Sequence, residues 1–382
     1  MYRLTLLYYL LTASIALLSS LYIVWEAYSL ASSYREEYVT DEIYYVDTAR
    51  RLLERVFGVD VEGRYSNRTR EDYFNLEHPP LGKYVIAASM ALCGDVPMCW
   101  RMPGIIAGGL MPLVLYAAYA TTRHPLGPAA GALAALSLAA DPIVSATASV
   151  AMLDIQLSFL TALSIAFAVR GLYGLSLLSG ALSLNVKISG FGTFMGSIMN
   201  LYRVEGRRER IRLMALGTLA ALSLSLLLHA PLMAYFGPGE IARETLEAVK
   251  WHTSSRPEGP PSSSPSGWLF NVAPFPFSYD PRPVLAEVNT AIHLLALSFS
   301  VFAVLNHVFS PSHPYRLSAP LFYAAITVAY WAVFIAGNRT LYSFYAVQLS
   351  PAAAGAVAEL MLLLWDGRGL GDEGHNSSDR AL

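Results

Sequence analysis

Two short stretches of this chain hold residue types that could do chemistry. The first is Asp41-Glu42, an acidic pair inside a polar segment rich in tyrosine. The second is Glu77-His78-Pro79-Pro80-Leu81-Gly82-Lys83, where that polar segment meets an apolar one. A carboxylate in a solvated loop is commonly only a surface charge. If the leaving group is already good, one carboxylate suffices for a transfer reaction, as the general base for an attacking hydroxyl. The proline pair fixes the start of a helix. Lys83, one turn in, reads either as an interfacial anchor snorkelling to head groups or as a cation for a phosphate. Farther along, Asp154 and Lys187 interrupt apolar sequence. Ionisable groups inside a membrane are expensive, and they mark functional sites or internal ion pairs. His252 beside Trp251, Trp268 in Ser266-Gly267-Trp268-Leu269-Phe270, and Arg339 in Asn338-Arg339-Thr340 complete the set. Arg339 suits a phosphate as well as a helix anchor.

The elements that must position these residues are apolar helices. The 382 residues are 54% hydrophobic and 14% charged, against about 25% charged in soluble domains. Mean hydropathy is +0.42. The charge deficit is organised: residues 4–25, 102–122, 155–169, 213–239, 288–315 and 317–338 carry no charge. Apolar runs of about 18 or more residues read as membrane spans. The fold class is therefore all-α, in a polytopic membrane protein. A net charge of −2 gives no electrostatic support for nucleic-acid binding. No phosphate-binding glycine loop, Cys/His zinc spacing or Gly-x-Ser-x-Gly elbow occurs. Cys93 and Cys99 flank a short connection and read as packing residues rather than as a bridge.

The first span covers residues 4–24 and is read as uncleaved, because its apolar run exceeds the usual signal core of about 7–15 residues. A polar segment, 26–77, follows. A second span is expected from Pro79-Pro80 and a third from Met102, where Gly104, Gly108 and Gly109 permit close helix approach. Residues 124–202 are apolar but broken at Asp141-Pro142, Asp154, Arg170 and Lys187, and read as three or four spans. Residues 203–212 hold five Arg against two Glu. Positive loops stay cytoplasmic, so the next span, 213–235, carries the second polar segment, 237–287, to the outside. With the N-terminus inside, 26–77 is external too. Three further spans fall near 288–309, 317–336 and 342–365. One membrane domain, 1–365, of about 10–11 helices with two large external loops is expected, followed by a polar, disordered tail at 366–382.

An acidic pair, then His-Pro-Pro-Leu-Gly-Lys at a membrane boundary, then a bundle of apolar helices resembles the protein O-mannosyltransferases. Asp154 in Met152-Leu153-Asp154 is similar to the family's Leu-Leu-Asp motif. Lys187 resembles its Lys followed by Gly, here Gly190. Ser266 and Trp268 match a Ser-x-Trp-x-Trp element whose second Trp is Phe270 here. Arg339 precedes Ser343-Phe344-Tyr345 where the family has Tyr-His-Tyr. The resemblance implies a compact prokaryotic form of the GT-C fold. It implies an integral multi-pass enzyme whose active site lies on the external face. The implied reaction moves mannose from polyprenyl-phosphate-mannose to Ser/Thr hydroxyls of exported proteins. Asp41 would be the base and Glu42 would shape the site. Glu77, His78, Lys83, Asp154, Lys187, His252, Trp268 and Arg339 would bind donor or substrate. Besides the lipid donor, the implied partners are an acceptor protein or peptide and membrane lipids; a dimer is allowed. No cofactor is required and no metal ligands are assigned, although a divalent metal is compatible.

A second reading within the superfamily is similar to the aminoarabinose transferases of lipid A: the sugar goes to a lipid or a cell-surface glycan. The His-Pro-Pro-Leu-Gly-Lys form favours the first reading. A transporter would show two matching halves with paired broken helices, and no internal repeat is present. Three sequons, at Asn67, Asn338 and Asn376, would matter only on an external face.

Overall fold

The computed structural model describes residues 2–34, 38–60, 73–255, 259–309 and 317–372. The chain opens with α1 (Tyr2–Ser33), then α2 (Glu42–Arg51), α3 (Leu81–Cys93) and α4 (Pro97–Ala120). Next come α5 (Gly127–Ala139), α6 (Pro142–Ala148), α7 (Leu153–Val169), α8 (Tyr173–Val186) and α9 (Phe191–Met199). After α10 (Arg207–Phe236) lie α11 (Pro238–His252), α12 (Pro265–Trp268) and a small antiparallel pair, β1 (Pro276–Ser278) with β2 (Val284–Leu285). The bundle closes with α13 (Thr290–Phe309), α14 (Ala319–Ala336) and α15 (Ser350–Asp372). Among the described residues, five helical segments are long and apolar enough to cross a membrane, and α5 with α6 makes a sixth if that pair, bent by 64° at Ala140-Asp141, is one span. The apolar helices α3, α7, α8 and α13 are shorter by the same measure.

Side-chain contacts sort the helix ends into two groups. At one end Tyr8 reaches Pro125 and Ala129, Arg170 reaches Thr121, Arg203 reaches Ser318 and His124 pairs with Asp366. At the other end lie α2, α3, α11, α12, the β pair and the connections before α7 and after α8. Glycine sets the helix spacing where α4 meets its neighbours: a Cβ on Gly109 would stand 2.4 Å from Val24, and one on Gly108 2.9 Å from Ala148.

The structure corrects the expected second span. α3 has 13 residues, about 20 Å of helix where a membrane needs about 20 residues. Both of its ends stay at one end of the bundle. Its first turn is tied through Lys83 to the connection before it. Just past its last turn, Asp95 binds Arg50 of α2. The proline pair therefore starts a helix lying across the bundle end, and α4 is the next span. α1 also continues to Ser33, into the expected loop. The expected loop of 237–287 holds helical structure, chiefly α11. α15 runs to Asp372, past the expected end at 365, and the rest of the tail lies outside the described residues. The cysteines are also corrected: Cys93 and Cys99 are joined by a disulfide that closes the α3–α4 connection around Asp95.

Cysteine labelling in intact cells checks this two-ended arrangement. A cysteine replacing exposed Ser254 should react with a membrane-impermeant thiol reagent. One replacing Glu205, at the basic end, should stay protected until the cells are opened. The reverse pattern would invert the bundle.

Candidate active site

The acidic pair divides its labour. Glu42 is fully buried in the first turn of α2. Its Oε1 accepts from Arg101 Nε at 2.8 Å and from the Ala151 N–H at 2.7 Å. Its Oε2 accepts from Arg101 Nη2 at 2.8 Å and from the Val39 N–H at 2.8 Å. Arg101 spends its remaining nitrogen on the Ala31 carbonyl at 3.0 Å. One carboxylate thus joins α1, α2, α4 and the connection before α7, so Glu42 is a structural anchor. Asp41, its neighbour, is only partly buried and accepts from the Tyr45 hydroxyl at 3.4 Å. Burial, and then the nearby charge of Asp41, push the Tyr45 phenol well above its ordinary value. It therefore stays protonated and donates. Thr40, just before, has φ +55. That left-handed backbone costs a β-branched residue of order 1–3 kcal/mol and must be held by the packed elements around it.

The His-Pro-Pro turn folds its own carbonyls over the start of α3. Lys83 is 1% exposed, and its ammonium donates to the His78 carbonyl at 2.6 Å and to the Asn75 carbonyl. The ammonium that was expected to face a lipid phosphate is thus held by backbone carbonyls in this structure. The loop before α3 supplies unpaired acceptors directly above its first turn, and the lysine satisfies them. Glu77 accepts from Tyr73 Oη at 2.5 Å and Asn75 Nδ2 at 2.6 Å, which braces the same turn.

His78, Lys187 and His252 come together. They line a cavity of about 190 Å³ with Tyr330, Tyr345 and Asn338. The imidazoles of His78 and His252 stack at 5.1 Å, and His78 lies 5.9 Å from the Tyr45 ring. A chain of contacts thus leads from Asp41 to the cavity. Lys187, just beyond α8, meets Asp154, in the first turn of α7, at 2.8 and 2.9 Å. An anion at a helix N-terminus and a cation at a C-terminus both suit the helix dipoles. The Lys187 ammonium also stands 4.3 Å over the Tyr345 ring. Trp268 is 1% exposed and packs edge-on against Tyr330 and Tyr345, which stack on each other. Arg339 is exposed, over Phe334 at 4.3 Å, next to but not among the cavity residues. Asn338 gives its amide to the His252 carbonyl at 3.1 Å and is 1% exposed, so its sequon is occupied by packing. The sequons at Asn67 and Asn376 lie outside the described residues.

Residues that sequence reading missed include Arg101, Arg50, Asp95 and Tyr330. Arg101 stands immediately before the uncharged run 102–122, which was the available signal. Nothing local in the sequence pairs Arg50 with Asp95. Buried Asp141, at the α5–α6 break, also pairs with His293 at 2.9 Å and accepts from the Asn289 N–H at 2.9 Å.

Comparison with known proteins agrees with this architecture. Residues 77–235 match the family model described as dolichyl-phosphate-mannose-protein mannosyltransferase, a stretch that holds Glu77, His78, Lys83, Asp154 and Lys187. No curated protein sequence matches the chain. ArnT from Cupriavidus metallidurans, solved bound to undecaprenyl phosphate, superposes with a TM-score of 0.60 at 19% identity, over 95% of this chain and 62% of that one. The archaeal oligosaccharyltransferase AglB from Archaeoglobus fulgidus, solved with an inhibitory peptide and a dolichol-phosphate, superposes with a TM-score of 0.53 at 12% identity, over 97% of this chain and 52% of that one. The chain thus spans less than two thirds of the length of these structures. It has the GT-C fold of membrane glycosyltransferases.

Two substitutions test the roles assigned to the buried charges. Glu42→Ala strands Arg101 in the interior and should cost about 3–5 kcal/mol in detergent-solubilised unfolding. Lys83→Met should cost about 1–3 kcal/mol by leaving buried carbonyls without a donor. Wild-type stability of Lys83→Met, with weakened use of a lipid donor, would return Lys83 to the phosphate.

Proposed function

We propose that this chain is a membrane glycosyltransferase that moves a mannosyl residue from a polyprenyl phosphate to Ser or Thr hydroxyls of exported proteins. The observation that carries the reading is the convergence on one cavity of the His-Pro-Pro turn, the Asp154–Lys187 pair and His252 from the second polar segment, with Asp41 one aromatic ring away. The family match over 77–235 supports the mannosyl donor. The lipid phosphates held by two structures of the same fold support a lipid-phosphate carrier.

Asp41 is the general base. Its carboxylate takes the proton of the acceptor hydroxyl as that oxygen attacks the anomeric carbon. The bond from that carbon to the carrier phosphate breaks, and the phosphate leaves with the bonding pair. One displacement inverts the anomeric configuration. Negative charge grows on the departing phosphate, so donors aimed there act mainly in the transition state. Lys187, His78 and His252 face the cavity in which it would sit, and the tyrosine walls offer faces to sugar and isoprene units. The disulfide at this end of the bundle fits an oxidising compartment, and the basic cluster at the opposite end fits the cytoplasm. Both support an external active site.

Asp41→Asn keeps size and most hydrogen bonding but cannot take a proton. Transfer of radiolabelled mannose from polyprenyl phosphate to Ser/Thr peptides should fall by about 10²–10⁴-fold, with donor binding retained. Near wild-type transfer would remove Asp41 from the mechanism. Wild-type protein that labels a glycolipid acceptor but no peptide would move the acceptor to a lipid or surface glycan.

A further inference from the structure

A second cavity, of about 840 Å³, opens at the end of the bundle opposite the candidate active site. Arg123, His124, Arg170, Arg203, Ser318 and Glu359 are among its lining residues. Glu359, on α15, is 4% exposed. Its Oε1 accepts from the Tyr119 hydroxyl at 3.0 Å and from the Ala319 N–H at 3.1 Å. Its Oε2 is buried and has no hydrogen-bond partner among the described residues. Arg203 gives Nη1 to the Ser318 hydroxyl and Nε to the Tyr202 hydroxyl, while its Nη2 is equally buried and has no partner among the described residues. A buried charged group left unsatisfied is costly. Here one atom is left over on each of two groups of opposite sign that line one cavity, and the two form no salt bridge with each other.

The pair selects a ligand class. A bare anion would meet Arg203 and be repelled by Glu359, and a bare cation would meet the reverse. A head group with a phosphate and a neighbouring hydroxyl or ammonium satisfies both once the two side chains turn toward the cavity they line, the phosphate on the Arg203 guanidinium and the donor on the Glu359 carboxylate. Arg123 and Arg170, both exposed, add positive charge at the rim. Arg170 already gives Nη1 to the Thr121 carbonyl, which aims its guanidinium without consuming it. The same end carries the five arginines of 203–212, which places it where anionic head groups gather, and basic pockets between spans at that face are suited to such head groups. An apolar groove of about 300 Å³, with Leu360, Met361 and Leu364, runs along α15 beside it and offers acyl chains a bed.

We propose that this cavity binds a phosphate-bearing head group with a hydrogen-bond donor next to the phosphate, in the manner of a glycerol phosphate. The site is independent of which sugar or acceptor the enzyme uses.

Calorimetric titration of the full chain in neutral detergent tests it with three probes: dioctanoyl-phosphatidylglycerol, glycerol 3-phosphate and phosphate-free dioctanoylglycerol. The phospholipid should bind. Arg203→Ala and Glu359→Gln should each weaken it about 10- to 100-fold. Arg170→Ala, at an exposed position, should weaken it less with an unchanged unfolding temperature, and together with Glu359→Gln it decides the matter if Arg203→Ala does not fold. Equal binding of glycerol 3-phosphate supports the site and assigns it to soluble phosphates. Equal binding of dioctanoylglycerol, no binding of either phosphate probe, or affinity unchanged in every folded variant would overturn the proposal.

Discussion

The site end of this molecule depends on the buried pair of Glu42 and Arg101. Two charges removed from water are tolerable only when every lone pair and donor is met. Glu42 receives four hydrogen bonds, two from Arg101 and two from backbone amides. Those partners belong to three separate parts of the chain, and Arg101 adds a fourth at Ala31. The position of Asp41 follows from this. A residue adjacent to a fixed anchor inherits its precision, and Asp41 does so while staying only partly buried. The left-handed Thr40 backbone between Val39 and Asp41 is what such an anchor holds in place.

The Asp154–Lys187 contact does comparable work on the opposite wall of the cavity. It joins the first turn of α7 to the end of α8, and its cation also rests on Tyr345 from the last part of the chain. Of the two readings the sequence offered for these residues, the internal ion pair is the one seen here. A neutralised lysine that still lines a cavity can be drawn toward a new anion at modest cost, because its carboxylate partner remains beside it.

Much of this was legible in the sequence, and the misses share a cause. The apolar runs of the long spans and the helical class survive, because each depends on local composition. Small residues at 104, 108 and 109 likewise announced close packing. The second span failed because hydropathy measures length of apolar sequence and not its direction. A largely apolar helix of thirteen residues after a proline pair can lie across a bundle as well as enter it, and Arg50–Asp95 decides between the two at a separation of 45 residues. The contacts of Lys83 were out of reach for a related reason. Its partners, the Asn75 and His78 carbonyls, are backbone atoms that any sequence would supply. Arg101 was overlooked because it borders an uncharged run rather than interrupting it. Trp268 was identified from its motif, but the stacked Tyr330 and Tyr345 beneath it come from distant segments.

The short ring closed by Cys93 and Cys99 has a particular thermodynamic character. Cross-links stabilise chiefly by reducing the freedom of the unfolded chain, and the gain grows with the length of the enclosed loop. With a separation of only six residues, this bridge restricts the unfolded ensemble little. What it restricts is the direction of Asp95, which lies inside the ring and binds both Arg50 and Trp100. Its worth is therefore in orientation rather than in global stability. A protein lacking it would keep its bundle and its spans, and would surrender the angle at which α2 meets α3, on which the geometry between Asp41 and His78 is built.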